Sequence, residues 1–308
     1  MNLRISTAPH FHNPVTTQRL MLYVLLALLP CAAFGVYAFG LHALMLLCLS
    51  CATAVLCEFI WQKAAKVPVR VGDLSALVTG LILGLNLPAG APWWLAVIGS
   101  AFAILLVKQL FGGLGDNFLN PAMAARAVLL ASWPVHMTSY LVPTFFETGV
   151  DAVTAATPLA TRNVELMDLL FGRIPGCIGE VSKVAILIGL LILLVTRTVT
   201  WHIPVSMMAG VFVFSWLFGA DPVYAILSGG VLFGAVFMAT DYVTTPMTPV
   251  GQIIYGLGIG LIVAVIRNFG AYPEGVTYGI LLMNIATPLI DRFLPRKIYG
   301  YQKEAKKA

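Results

Sequence analysis

A polar segment from Asp151 to Pro158 contains a threonine that could be covalently modified. A transferase that esterifies a hydroxyl needs an exposed side chain on an accessible backbone. Ala155 and Ala156 leave the approach to Thr157 unobstructed, and the following proline biases this threonine toward an extended conformation. We therefore predict that the Thr157 hydroxyl accepts a covalently attached group. The alternative is an ordinary loop, because proline and small polar residues are common there.

A second segment, Gly112 to Arg126, combines three glycines with Asn117 and Asn120. The glycines permit unusual backbone angles. Asn120 is placed to cap a helix whose first position is Pro121. Free N–H groups at this helix end, together with the asparagine amides, could bind the edge of an isoalloxazine ring, which offers carbonyl acceptors and an imide donor. A capped turn without a ligand is the alternative.

Other polar residues carry weaker signals. Asp241 follows an apolar run and could contact a ligand or an ion, although capping or pairing at the membrane interface is the simpler interpretation. Cys48 and Cys51 form a CxxC pair, but they lie inside an apolar run with no second pair, so packing is the expected role. Further ionisable residues lie at or near membrane depth, where charges are costly and often functional: Glu58, Asp73, Arg126 and Arg267. The sequence predicts no metal site.

The composition identifies an integral membrane protein. Of 308 residues, 59% are hydrophobic and 10% are charged, whereas soluble domains average roughly 25% charged residues. The net charge of +5 does not indicate nucleic-acid binding, because the basic residues lie beside apolar runs rather than on one soluble face. Residues 1–19 are mostly polar, and the first apolar run is long enough to remain as a span rather than a cleaved signal.

Ten apolar segments predict an all-α fold with about ten transmembrane helices. Some of them are short for a bilayer, which indicates broken or re-entrant helices inside the bundle. The predicted spans are 20–40, 41–62, 74–88, 93–112, 121–135, 183–198, 201–219, 223–240, 250–268 and 275–293.

Lysine and arginine placement predicts the orientation. With a cytoplasmic N-terminus, most of the 18 basic residues fall on the inner side, and only Arg162, Arg173, Lys183 and Arg267 fall on the outer side. The segment 136–182, with Thr157, then faces outward, which is the periplasm of a bacterium whose inner membrane holds the chain. The basic tail with Lys303, Lys306 and Lys307 is expected to contact anionic lipid.

A weak internal repeat suggests two inverted five-helix units. Gly80 and Gly84 are echoed by Gly230 and Gly234, and an odd number of spans per unit forces the units to run in opposite directions. The alternative is that such glycine pairs are common in membrane bundles. The expected organisation is a cytoplasmic segment 1–19, a first repeat 20–135, a periplasmic loop 136–182, a second repeat 183–293 and a cytoplasmic tail 294–308.

These residues together resemble the NqrB/RnfD family. Asp-x-x-Thr-Ala-Ala-Thr from Asp151 through Thr154 to Thr157 is similar to the flavinylation motif shared by the D component of the Rnf complex and the B component of the Nqr complex. The family's threonine carries FMN through a phosphoester. Gly-Gly-x-Gly-x-Asn-Phe-Leu-Asn-Pro is similar to the Nqr segment whose asparagines lie at a noncovalent riboflavin, which here are Asn117 and Asn120.

Further matches extend the resemblance over most of the chain. They are Ser6 to His10, Ser75 to Gly80 with Pro88, Thr240-Asp241, and Thr244 to Pro246. The chain lacks the longer N-terminal extension of the Nqr component, so its length favours the Rnf component.

The resemblance implies a membrane flavoprotein component of the Rnf ferredoxin:NAD oxidoreductase, which relays electrons across the membrane coupled to Na⁺ or H⁺ movement. Expected partners are the other Rnf components, RnfA, RnfB, RnfC, RnfE and RnfG, with an ApbE-type flavin transferase for maturation. The chain has no iron–sulfur cysteine set and no nucleotide-binding fingerprint, so other components would handle ferredoxin and NAD. Two alternatives are an NqrB-like component of an NADH:quinone oxidoreductase and a small-solute transporter or channel with inverted repeats.

Overall fold

The computed structural model describes residues 16–145, 154–155, 164–270 and 274–295, and the chain there is mostly helical. Each predicted span coincides with a helix or a pair of helices, although several helices are shorter than the predicted segments. In the first half, the helices are α1 Thr17–Phe39, α2 Leu41–Ala64, α3 Ser75–Leu85, α4 Trp93–Phe102 with a π-helical extension Ala103–Gln109, α5 Pro121–Ser132 and α6 Pro134–Thr138.

The second half has the same helical character. Here the helices are α7 Leu166–Phe171, α8 Lys183–Val195, α9 His202–Leu217, α10 Pro222–Leu227, α11 Val231–Phe233 with a π-helical extension Gly234–Met238, α12 Pro249–Phe269 and α13 Val276–Phe293. The predicted span 223–240 is therefore broken between α10 and α11. The helix α6 crosses the expected domain boundary at residue 135.

Three of the described helices, α1, α2 and α12, are long and apolar enough to cross a membrane. The helices α3, α5 and α8 are apolar but have only 11, 12 and 13 residues. At about 1.5 Å per residue they fall short of a hydrocarbon core of roughly 30 Å. This agrees with a membrane protein that contains short, internally packed helices. Ten crossings and the inverted repeat remain predictions, and the two π-helices lie in non-equivalent spans of the two halves.

Close helix crossings are built from small residues. The helices α9 and α12 meet at Gly210 and Gly260, where a Cβ on Gly260 would lie 2.7 Å from the Gly210 Cα. The helices α2 and α3 meet at Gly80, where a Cβ would lie 2.9 Å from the Cα of Cys51. Cys48 and Cys51 are free thiols, Cys48 exposed and Cys51 half-buried, and the packing role expected for them stays a prediction. Such crossings replace the hydrophobic driving force that is missing between helices in lipid.

The bundle has two distinguishable ends. The start of α3, the end of the first π-helix and the start of α5 gather at one end, which we call the pocket end and which is marked by Ser75, Lys108 and Asn120. The opposite end, the far end, contains Asn86 after α3 and Glu274 before α13. A short strand β1, Tyr140–Leu141, lies at the far end and pairs antiparallel with β2, Thr154–Ala155.

Candidate functional site

A pocket lies between the two halves of the chain, at the end of the bundle marked by Ser75, Lys108 and Asn120. It has about 730 Å³ of empty space including its open mouth. Val78 and Ile82 of α3 line one part of the wall, and Val236 and Phe237 of the second π-helix line another. The polar lining residues include Ser75, Lys108, Asn117, Asn120, Thr240 and Asp241. Apolar walls with a few polar groups are typical of sites for small organic ligands.

The glycine-rich segment before α5 delivers both predicted asparagines to this pocket. Gly112, Gly113 and Gly115 have φ angles of 122°, 100° and 108°, which L side chains rarely adopt. The glycines therefore allow the tight path that places Asn117 and Asn120 on the same wall. This part of the arrangement follows directly from the sequence pattern.

Asn120 caps α5, as the sequence predicted. Its Oδ1 accepts hydrogen bonds from the N–H groups of Ala122 and Met123 at 3.1 and 3.2 Å, and Pro121 occupies the first helical turn. Its Nδ2 donates to the Met238 carbonyl at 3.1 Å. The amide is thus largely committed to holding α5 against the second π-helix, and its role toward a ligand stays a prediction.

The Asn117 amide makes fewer hydrogen bonds than the Asn120 amide. Its Nδ2 donates to the Leu119 carbonyl at 3.1 Å, and its Oδ1 accepts no hydrogen bond from any residue that the structure describes. Because the side chain lines the pocket, this oxygen is a free acceptor for a ligand donor. Of the two predicted asparagines, Asn117 therefore has the greater capacity to bind a ligand.

A buried ion pair at the pocket wall was missed from the sequence. Lys108 Nζ lies 2.9 Å from Glu58 Oε1, and both side chains are only 2% exposed. The ammonium also donates to Ser75 Oγ at 2.6 Å, and Gln109 Nε2 donates to the same Glu58 oxygen at 2.6 Å. Glu58 stood out only for its depth in an apolar run. Nothing in the sequence pairs it with a lysine 50 residues away.

Both π-helices border the pocket. The first contains Lys108, and the second contains Val236 and Phe237. An extra residue in a helical turn changes which side chains face inward, and π-helical turns occur frequently at functional sites. The Met238 carbonyl at the end of the second π-helix accepts the hydrogen bond from Asn120, which connects the two halves at the pocket.

Asp241 lies on the pocket wall in the segment between the second π-helix and α12. Burial raises the pKa of its carboxyl group, and hydrogen bonds from the Val243 N–H and the Thr244 side chain oppose that shift. The Thr244 hydroxyl donates to Asp241 Oδ2 at 3.3 Å. Asp241 therefore stabilises the turn after the second π-helix, and both its interfacial capping role and a role toward a ligand stay predictions.

A second buried polar cluster occupies the far end. Arg126 on α5 forms an ion pair with Glu274 and donates to Asn86 Oδ1 at 2.8 Å and to the Cys177 sulfur at 3.5 Å. Tyr140 donates to the other Glu274 oxygen at 2.5 Å. We call these five residues the far-end cluster.

Three possible metal ligands, from Cys177, Glu180 and Glu274, lie within 4.8 Å of one another beside Arg126. The Arg126 guanidinium already contacts two of them, Cys177 and Glu274. The Arg126 guanidinium therefore already supplies a positive charge to this group of three possible ligands.

The predicted flavinylation motif falls mostly outside the described residues. Asp151 and Thr157 lie in the part of the chain for which no structure is given, while the backbone of Thr154 belongs to β2 and pairs with Leu141. The neighbouring pair joins Ala155 to Tyr140, whose side chain belongs to the far-end cluster. The described part of this segment, Thr154–Ala155, thus lies at the end of the bundle opposite the pocket.

Comparison with known proteins places the chain in a family. The family model described as the NQR2, RnfD, RnfE family matches residues 4–300. The chain belongs to this family. The RnfD-type component of the Na⁺-translocating ferredoxin:NAD⁺ oxidoreductase complex of Acetobacterium woodii is 49% identical, and the match covers 100% of the chain and 98% of the relative.

Two further relatives are the corresponding components of related complexes. The one from the proton-translocating ferredoxin:NAD⁺ oxidoreductase complex of Clostridium ljungdahlii is 41% identical over 97% of this chain and 96% of its own. The one from the ion-translocating oxidoreductase complex of Pectobacterium atrosepticum is 38% identical over 98% of this chain and 100% of its own. The similarity to RnfD therefore extends over the full chain, as the sequence motifs indicated.

Proposed function

We propose that this chain is the membrane-embedded, flavin-carrying RnfD component of an Rnf-type ferredoxin:NAD⁺ oxidoreductase. It would relay electrons between the two faces of the bacterial inner membrane, coupled to movement of Na⁺ or H⁺. The observation that carries this proposal is the pocket at the junction of the two halves, lined by both asparagines of the segment that resembles the riboflavin-binding segment. The names of the full-length relatives support the same complex.

The residues of the pocket fit a flavin. The Asn117 oxygen is a free acceptor, Lys108 is a cationic donor, and the walls formed by Val78, Ile82 and Phe237 offer apolar surface to a flat ring. When bound, a flavin supplies electron-transfer chemistry that no side chain provides. The chain's own residues orient the ring, keep water from its apolar surface and set the local charge.

The helix α5 connects the two proposed flavin sites. Its first turn, capped by Asn120, borders the pocket, and Arg126 farther along the helix joins the far-end cluster. Through Glu274 and Tyr140 this cluster is tied to β1, which pairs with the strand that contains Thr154 of the flavinylation motif. Under this proposal the pocket end is cytoplasmic and holds riboflavin, while Thr157 on the periplasmic side carries FMN.

The sequence has no iron–sulfur cysteine set and no nucleotide-binding fingerprint, so the proposed function requires partner proteins. Ferredoxin and NAD⁺ would react at other components of the complex, which comprise RnfA, RnfB, RnfC, RnfE and RnfG, and an ApbE-type transferase would attach FMN to Thr157. In the intact complex, electron transfer from reduced ferredoxin to NAD⁺ is the expected activity. Exclusive NADH:quinone activity would place the chain with the NqrB proteins instead.

In-gel flavin fluorescence of the SDS-denatured chain, produced with an active transferase, tests the covalent site. Denaturation removes noncovalent flavin, so only attached FMN fluoresces. Wild type and Thr157→Ala are compared, with Thr161→Ala as a matched control from the same segment. The proposal predicts fluorescent wild type and control bands and a dark Thr157→Ala band. A dark wild type band would contradict the covalent FMN assignment. A fluorescent Thr157→Ala band would mean that FMN is attached to a residue other than Thr157.

A further inference from the structure

In the Glu58–Lys108 pair, the two carboxylate oxygens of Glu58 differ in the number of hydrogen bonds that they accept. Three donors converge on Glu58 Oε1, from Lys108 at 2.9 Å, Gln109 at 2.6 Å and Gln62 at 3.3 Å. Glu58 Oε2 is buried and has no hydrogen-bond partner among the described residues. A buried ion pair optimised for stability would satisfy both carboxylate oxygens, because an unpaired buried oxygen carries the full cost of desolvation.

Lys108 is the member of the pair that reaches the pocket. Its ammonium has three donors, and within the described residues two of them are used, toward Glu58 Oε1 and Ser75 Oγ. Lys108 and Ser75 line the pocket, whereas Glu58 is not among the lining residues. The residue that carries the positive charge therefore borders the pocket, whereas the residue that carries the negative charge does not.

We propose that Lys108 sets the midpoint potential of a flavin bound in this pocket, and that Glu58 limits its effect by acting through Lys108. This inference rests on the proposed function. Each electron that enters the pocket without a proton adds one negative charge there, and the electron comes from a reduced carrier of the same complex, which is oxidised by one electron. A fixed positive charge at a low-dielectric wall favours the form that carries this added charge.

The arrangement of the neighbouring residues supports an electrostatic role. The π-helix Ala103–Gln109 brings Lys108 and Gln109 to the same carboxylate, although they are adjacent in sequence. Ser75 Oγ donates to Asp73 Oδ1 at 2.5 Å and so presents its lone pair to the ammonium. These contacts hold the ammonium in place beside the pocket and use two of its three donors among the described residues.

The test is a potentiometric titration of the noncovalent flavin in the purified full chain, with riboflavin present throughout purification. A Thr157→Ala background removes the covalent flavin, so the absorbance reports the pocket alone. Lys108→Gln is expected to weaken the preference for the reduced form at least tenfold, which lowers the midpoint potential by about 59 mV for one electron. Glu58→Gln is expected to shift the potential in the opposite direction, because it removes the charge that offsets Lys108.

Two control variants separate charge from packing. Lys108→Arg keeps the positive charge and is expected to stay closer to the wild-type potential than Lys108→Gln. Gln109→Met removes a neutral partner of the same Glu58 oxygen without changing the charge, so its shift in potential is expected to be smaller than that of either Lys108→Gln or Glu58→Gln. A purely structural ion pair would give no opposite shifts for Lys108→Gln and Glu58→Gln.

The outcomes distinguish this inference from the proposed function. Retention of riboflavin with unchanged potentials in both Lys108→Gln and Glu58→Gln would overturn the inference and leave the flavin pocket intact. Absence of riboflavin from the Thr157→Ala chain itself would overturn the pocket assignment as well. If Lys108→Gln does not fold, the Glu58→Gln titration decides: an upward shift supports the inference, and no shift overturns it.

Discussion

Two buried ion pairs, at opposite ends of the described part of the bundle, differ in what they connect. Arg126 and Glu274 are 148 residues apart in sequence, and their partners Asn86, Cys177 and Tyr140 come from separate segments of the chain. Glu58 and Lys108 are both in the first half. The far-end pair thus joins the two halves, while the pocket-end pair lies beside the space between them.

The pairs also differ in how completely their acceptors are used. Both Glu274 oxygens accept hydrogen bonds, whereas one Glu58 oxygen has no partner among the described residues. Burial of charge alone therefore does not mark a ligand site. Arg126 Nε at the far end also lacks a partner among the described residues, so the distinguishing feature of the pocket-end pair is that its lysine borders a pocket while its carboxylate keeps an unpaired oxygen.

The largest expected effect is the loss of the far-end guanidinium. Arg126→Leu would leave Glu274 buried without its cation, which costs about 3–5 kcal/mol of stability. Thermal unfolding in detergent would show this as a large drop in the midpoint. Arg126→Lys keeps the charge but not the planar set of donors, so its unfolding midpoint is expected to lie between those of wild type and Arg126→Leu. An unchanged midpoint in Arg126→Leu would mean that the cluster does not hold the two halves together.

Tyr140→Phe tests the same cluster with a smaller change. It removes the hydroxyl that donates to Glu274 and leaves that oxygen short of a donor, at a cost of about 1–3 kcal/mol. Tyr278→Phe is the matched control, because the Tyr278 hydroxyl has no hydrogen bond among the described residues. Equal unfolding midpoints for the two variants would argue against the link between β1 and the far-end cluster.

The two pocket asparagines are expected to separate stability from binding. Asn120→Ala removes a helix cap and the hydrogen bond to the Met238 carbonyl and should cost about 1–3 kcal/mol, whereas Asn117→Ala loses a single hydrogen bond to a nearby carbonyl. We expect Asn117→Ala to weaken riboflavin retention at nearly unchanged stability. Unfolding midpoints and acid-extracted riboflavin of both variants provide the comparison. Full retention of riboflavin in Asn117→Ala would remove this residue from the site.

A small change in stability is expected when both charges of the pocket-end pair are removed. The double variant Glu58→Gln/Lys108→Met keeps acceptors for Gln62 and Gln109 and removes both charges, so stability should stay within about 1 kcal/mol of wild type. The far-end double variant Arg126→Leu/Glu274→Leu should cost more, because Asn86 and Tyr140 also lose partners. Equal losses of stability in the two double variants would contradict the proposed difference between the pocket-end and far-end ion pairs.

Local features of the site were predictable from the sequence. Asn120 and Pro121 are a recognisable helix start, the glycines before them have the positive φ angles that their type permits, and apolar runs located the long helices α1, α2 and α12. These features depend on neighbours a few residues apart. The family resemblance rested on such local motifs and is confirmed over the whole chain.

The features that the sequence did not reveal depend on distant contacts. Lys108 was assigned only as an inner-side basic residue, because neither its π-helix nor its contact with Glu58 leaves a short-range pattern. Arg126 and Glu274 likewise meet only after the two halves pack together. The break between α10 and α11 is different, because it falls at Ser228, Gly229 and Gly230, a local turn signal that the apolar residues on either side outweighed in the prediction of one span.

The central claim is that the chain holds one flavin covalently and another noncovalently, and the direct measurement is flavin content after acid precipitation. The full chain is produced with an active transferase, purified with riboflavin present, washed and precipitated. The account predicts stoichiometric FMN in the protein pellet and stoichiometric riboflavin in the supernatant. A chain without flavin in either fraction would contradict the account.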